Sequence, residues 1–210
     1  MTEKEKPYKV LKYPPAYLDG YLAINGCLSE YCIPIEFYKE NGEKWVYGFQ
    51  GEIEKGIEII DLKDNRYFFI STKNELNTNY IVDVETINPI KEIDYVSEIL
   101  KYKNKLILIL SSNSIAIVNE PNDIEYIESL CWDGIRNNRI ENGILKGQLY
   151  DWSNRDYGDK YNKTNYELDL ETLIIKKGKD LLQKSDSIKK AEIKKTKVEN
   201  RKWWELWKTE

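Results

Sequence analysis

The chain of 210 residues contains no histidine, so the commonest general base near neutral pH and the commonest metal ligand are both missing. Chemistry at a site would have to rest on carboxylates, tyrosine or lysine. Cysteine is scarce as well: Cys27, Cys32 and Cys131 form no CxxC pair and no metal-type cluster. An odd, sparse set reads as reduced structural thiols, and therefore as cytoplasmic residence. No acidic loop has calcium-binding density; Asn154-Arg-Asp-Tyr-Gly-Asp159 places Arg155 among the would-be ligands. Gly143-Ile-Leu-Lys-Gly147 lacks the spacing of a phosphate-cradling loop. No metal and no cofactor are therefore expected. Long apolar runs are absent too. Leu106-Ile-Leu-Ile-Leu110 is strand-sized, far below the roughly eighteen residues of a membrane span. The charged start, Met1 to Pro7, does not read as a signal peptide.

What is present is a globular composition, 41% apolar and 12% aromatic, with sixteen Tyr and six Trp against four Phe. Rings with a polar tip suit half-exposed sheet positions and interfaces. The chain also repeats itself. Asn79-Tyr-Ile-Val-Asp-Val-Glu-Thr-Ile87 returns as Asn165-Tyr-Glu-Leu-Asp-Leu-Glu-Thr-Leu173. Tyr80, Val82 and Val84 alternate, as do Tyr166, Leu168 and Leu170, so each copy reads as a half-buried strand entering an acidic turn. Asp83 and Asp169 are placed to accept the amides of that turn.

Short strands fill the rest: Tyr21–Ile24, Ile33–Tyr38, Lys44–Phe49 and Ile57–Leu62, with Glu40-Asn-Gly42 as a hairpin signal. Strands beginning near 67, 106 and 144 then give a period of about 38–40 residues, the size of a propeller blade. Too few units exist for a closed propeller. The expectation is an all-β fold of repeated antiparallel hairpins in stacked sheets, as a sandwich or partial propeller. Ile93–Leu100 and Asp123–Leu130 read equally well as strand or helical turn.

Three segments follow: an extended arm (1–20, with Tyr13-Pro-Pro15), a β domain (21–183) and a basic helical tail (184–210). The tail holds nine Lys/Arg and five Asp/Glu, a net of +4, so a chain at −4 leaves residues 1–183 at −8. An acidic body is a poor partner for phosphate, which argues against nucleic acid, and a good one for a basic protein surface. The tail ends on Trp203, Trp204 and Trp207, which suit docking on the body, a protein partner or a membrane surface. Membrane association is expected only through this tail.

The loop after Tyr150 gathers Asp151, Trp152, Asp156, Tyr157 and Asp159. Paired acids flanked by rings can hydrolyse or bind sugars, but acids in polar loops are commonly turn formers. Trp132-Asp-Gly-Ile135, Ile140, Gly143, Leu145-Lys-Gly147, Tyr150-Asp151 and Tyr166-Glu-Leu-Asp-Leu-Glu-Thr172 together resemble the closing section of uncharacterised bacterial proteins. Some of these look like immunity proteins of polymorphic or contact-dependent toxin systems. The resemblance spans about forty residues. Tyr166 stands where that pattern more often has Phe, and no Gly follows Thr172. It implies a non-enzymatic binder that neutralises a cognate toxin by masking its surface, the partner being a basic toxin domain. Partner contacts are then expected at Trp152, Asp156, Tyr157, Asp159, Trp203, Trp204 and Trp207. The alternative is a scaffold protein attached through its Trp-rich tail.

Overall fold

The computed structural model describes residues 6–18, 20–72, 78–111, 113–151 and 162–178, and these are all-β. They form four four-stranded sheets, with one 3-10 turn at Ile53–Lys55 and no α-helix among the described residues. The first sheet contains β1 (Tyr8–Val10), β2 (Ile24–Gly26), β3 (Cys32–Tyr38) and β4 (Lys44–Gln50). The second contains β5 (Ile57–Lys63), β6 (Tyr67–Thr72), β7 (Asn79–Asp83) and β8 (Lys91–Ile93). The third contains β9 (Val96–Tyr102), β10 (Lys105–Leu110), β11 (Ser114–Glu120) and β12 (Asp123–Ile127). The fourth contains β13 (Gly134–Glu141), β14 (Ile144–Asp151), β15 (Asn162–Asp169) and β16 (Ile175–Lys177). The second strand in the order of each sheet starts at 32, 67, 105 and 144, so the repeat extends one unit further back than its sequence signal.

Sheets two to four are antiparallel meanders, whose strands follow one another in chain order. The first sheet breaks that rule. Its order is β1-β3-β4-β2, and β2 runs parallel to β4. The chain leaves β1 at one edge and reaches β2 at the other before either central strand is made, so residues 11–23 cross the sheet. Part of the expected arm thus enters the fold as β1, which pairs Tyr8 with Phe37 and Val10 with Ile35.

The described chain divides into two compact units, Met1–Leu130 and Cys131–Glu210, a boundary inside the expected 21–183 domain. In the first unit, one core joins Ile33, Ile35, Phe37, Trp45 and Phe49 to Phe68, Ile70, Tyr80, Val82 and Val84. A second core joins Phe69, Ile81 and Ile93 to Leu106, Leu108, Leu110 and Ala116. The second sheet is therefore buried on both faces. Every residue of β7 is buried, which corrects the half-buried reading of Tyr80–Val84. Trp45 stacks on Phe37 at 4.4 Å and donates its Nε1–H to the Val84 carbonyl at 2.8 Å, so a buried indole keeps its polar atom satisfied across two sheets.

In the second unit the matching segment behaves as expected. Tyr166, Leu168 and Leu170 are buried while Glu167 and Asp169 reach outward. Gly147 lies opposite Tyr166, and a Cβ there would sit 2.7 Å from the ring and 2.4 Å from Asn138 Oδ1. The missing side chain lets the tyrosine lie across the strand and donate to Asn138 at 2.8 Å. Both repeat copies close through their aspartate. Asp83 Oδ1 accepts the Glu85 amide at 3.0 Å, and Asp169 Oδ1 accepts the Glu171 and Thr172 amides at 2.9 and 3.0 Å.

The two ambiguous segments are strands: Lys91–Ile93 and Val96–Tyr102 account for the first, Asp123–Ile127 for the second. The thiol reading needs correction. Cys27 and Cys32 are joined as a disulfide across a turn that brings their Cα atoms to 5.9 Å, while Cys131 is free. The cysteines thus give no support to a reducing compartment. Among the described residues no helix is long and apolar enough to cross a membrane. The tail at 184–210 lies outside the described residues. Gly48 tests how β2 is held, because a Cβ there would lie 1.6 Å from the Cys27 carbonyl oxygen. Gly48→Ala should cost about 3 kcal/mol in urea unfolding, at the upper end of overpacking penalties. An unchanged midpoint would show that β2 does not need to dock there.

Candidate functional site

Of the residues expected to touch a partner, Trp152, Asp156, Tyr157 and Asp159 lie outside the described residues, as do Trp203, Trp204 and Trp207. Asp151, at the end of β14, is described. Its Oδ1 accepts the Trp132 amide at 2.8 Å, so it fastens the start of the β13 hairpin and has a structural task. Asp156 and Asp159, its expected partners in acid chemistry, lie outside the described residues. Among the described residues no group of three His, Cys, Asp or Glu side chains is arranged to hold a metal.

The segment that crosses the first sheet offers a different site. Between Val10 and Tyr31 the chain carries three charged residues, Lys12, Asp19 and Glu30, in a protein that is 32% charged overall. Tyr13, Tyr17, Leu18 and Leu22 stand 69%, 77%, 60% and 48% exposed along the crossing, followed by Leu28 and Tyr31 in the disulfide-closed turn. Exposed tyrosine and leucine with little charge is the composition of an interface centre, where charged groups are depleted and rings enriched.

The crossing is anchored from beneath. Glu36 points away from the core that Ile35 and Phe37 enter, yet it is only 6% exposed. Tyr21 donates to its Oε2 at 2.5 Å, Tyr38 donates to Oε1, and Lys44 Nζ stands 3.7 Å away. The same Lys44 lies over the Tyr21 ring at 4.3 Å. Burial alone would raise the Glu36 carboxyl, but the two phenols and the nearby Lys44 and Lys9 outweigh it and hold the group below its usual range. The Tyr21 hydroxyl, donating to that carboxylate and partly buried, is pushed up to about 12. Backbone bonds complete the seat: Leu22 N donates to Lys44 O at 2.7 Å, and Val46 N donates to Ala23 O at 2.9 Å. With both oxygens committed and no open approach, this carboxylate positions the crossing and is poorly suited to acid catalysis.

A cleft of about 840 Å³ opens beside this seat, lined by Tyr8, Lys9, Tyr38, Glu40, Arg66 and Glu85 among others. Two of its charged side chains are already engaged. Arg66 grips Asp83 with two parallel bonds of 2.9 and 2.8 Å, and Glu85 accepts the Glu40 amide at 2.9 Å. Burial disfavours the Asp83 carboxylate, but this fork and the Glu85 amide outweigh it and hold the carboxyl below its usual pKa range.

The crossing is hidden in the sequence because Tyr13, Tyr17 and Leu18 read as part of an extended arm and Tyr21–Ile24 as a strand, of which only Ile24 lies in one. The signal that points to it is the local loss of charge, which periodicity does not register. No protein-family model matches the chain, and no curated protein matches it.

The Tyr21–Glu36 pair sets limits on both sides of neutral pH. Glu36 is more acidic folded than unfolded, so its contribution is present above its ordinary value of 4.5 and fades as pH falls below it. Tyr21 is less acidic folded, so its contribution is complete below 10.0 and is lost as pH climbs towards about 12. Glu36→Gln should flatten the acid limb and lower mid-pH stability by about 2 kcal/mol, the scale of hydrogen bonds to a charged acceptor. Thermal unfolding followed across pH reads both effects. An acid limb unaltered by the substitution would remove Glu36 from this role.

Proposed function

We propose that the protein is a non-enzymatic binding protein that acts by covering the surface of a protein partner. The observation that carries this reading is the charge-poor crossing with Tyr13, Tyr17, Leu18 and Leu22 turned to solvent. A monomer gains nothing by exposing such rings, whereas a partner that desolvates them gains the apolar area and the hydroxyl contacts together. The rigid seat beneath limits the conformational entropy lost on binding.

The resemblance of residues 132–172 to bacterial immunity proteins gives the partner a class, a cognate toxin domain. The net −8 of residues 1–183 favours a basic one, drawn in by long-range attraction before the apolar centre closes. Masking fits a surface of this kind better than chemistry does, because the buried carboxylate nearest to it is already occupied by two phenols. This action takes place in the cytoplasm, where the Cys27–Cys32 pair would meet a reducing thiol pool.

Co-expression with the product of the neighbouring gene is the direct test. A stoichiometric complex with a protein that is lethal when expressed alone is the expected result. Tyr17→Ala combined with Leu22→Ala should weaken that complex by about 2 kcal/mol or more, the threshold of an interface hot spot, without moving the thermal unfolding of the free protein. Full protection and unchanged affinity in the double variant would take the crossing out of the interface.

A further inference from the structure

The outward face of the fourth sheet carries a cluster of donors that this masking role leaves unused. On that face Arg139 and Lys146 are neutralised by Glu141 at 2.7 and 2.9 Å. Arg136 and Lys163 are not. Both are exposed, neither has a carboxylate partner among the described residues, and both lie against the ring of Tyr150, at 5.3 and 5.4 Å from its centroid. Register explains the arrangement. Arg136 pairs with Gln148 on β13 and β14, and Lys163 pairs with Tyr150 on β15 and β14, so the two cations reach inward over the central strand.

The amides beside them point the same way. The Gln148 side-chain carbonyl accepts from Asn137 at 2.8 Å and from the Tyr150 hydroxyl at 3.2 Å. Its amino group donates to Asn165 Oδ1 at 3.4 Å, which uses the Asn165 acceptor and leaves that side chain's own N–H groups outward. The face therefore ends in a guanidinium, an ammonium and an amide N–H, all donors.

We infer that this face binds an acidic segment of a partner protein, through two carboxylates received by Arg136 and Lys163. The cations stand on strands separated by β14 and two residues apart along it, roughly 12 Å apart at their bases, a span that two acidic side chains of an extended peptide can bridge. The Tyr150 ring holds the Arg136 guanidinium in place, 5.3 Å from its centroid, and leaves its N–H groups available for a forked carboxylate bond. A nucleic acid strand fits less well. Its affinity comes from many neutralised phosphates and from bases stacked on open rings, and here two cations share one ring that they already occupy. The site is independent of the crossing and of any toxin.

Fluorescence anisotropy of the full chain with a short labelled peptide alternating Glu and Gly tests the inference, against the Gln–Gly peptide and oligo-dT of equal length. The Glu peptide should bind at low salt and the Gln peptide should not. Arg136→Gln with Lys163→Gln should weaken binding by about tenfold or more, the effect of losing charge-assisted bonds, with the melting temperature unchanged. Tyr150→Leu should weaken it less, by freeing both cations from the ring. Binding retained in full by the double variant would assign the peptide to the basic segment 184–210 and overturn the inference. Equal binding of the Gln peptide, or tighter binding of oligo-dT, would overturn it as well.

Discussion

The second sheet is buried on both of its faces, and the first unit depends on that constraint. Phe68, Ile70, Tyr80 and Val82 pack towards the first sheet, while Phe69 and Ile81 pack towards the third. Strands with two apolar faces cannot show one polar side, which is why Tyr67-Phe-Phe-Ile70 and Tyr80-Ile-Val82 run nearly without charge. Two-sided burial also leaves few places for polar atoms, and two of them are paired across sheets. Trp45 reaches the Val84 carbonyl, and the Thr72 hydroxyl reaches the Gln50 carbonyl at 2.6 Å. Removing the Trp45 donor would leave the buried Val84 carbonyl without it.

The first sheet is built differently from the other three. Where sheets two to four make a fourth strand by continuing forward, the first takes its fourth strand from the chain before β3. The cost is a crossing that has to be seated on a sheet face, and Glu36, Lys44, Tyr21 and Gly48 are the means. A buried carboxylate needs donors to be tolerable, and two phenols and an ammonium provide them. The crossing's inner side is fixed by polar bonds through Tyr21, so Tyr13, Tyr17, Leu18 and Leu22 are left to face outward.

Much of the architecture was legible. The strand positions from Ile33 onward, the Glu40-Asn-Gly42 hairpin and the period near 38 residues follow from alternation and turn chemistry, which act over a few residues, whereas the strand expected at Tyr21–Ile24 begins only at Ile24. The turn role of Asp83 and Asp169 was legible for the same reason. The two repeat copies show where that legibility stops. Asn79–Ile87 and Asn165–Leu173 share a pattern, yet Ile81 is buried beneath a second sheet while Glu167, at the matching position, is outward. The difference was written at that one position, and alternation of its neighbours hid it.

What the sequence determined by itself, then, is what local forces settle: strands, turns, the all-β class, and a composition without histidine or a cofactor motif. Tertiary structure alone decided the rest. The parallel pairing of β2, the Cys27–Cys32 bridge and the burial of Glu36 all join residues whose proximity depends on where the crossing lands. The donor-only cluster of Arg136, Lys163 and Asn165 likewise exists only once three strands are in register. Such contacts have no period along the chain, because they are made between segments whose spacing is set by sheet geometry and not by neighbours in sequence.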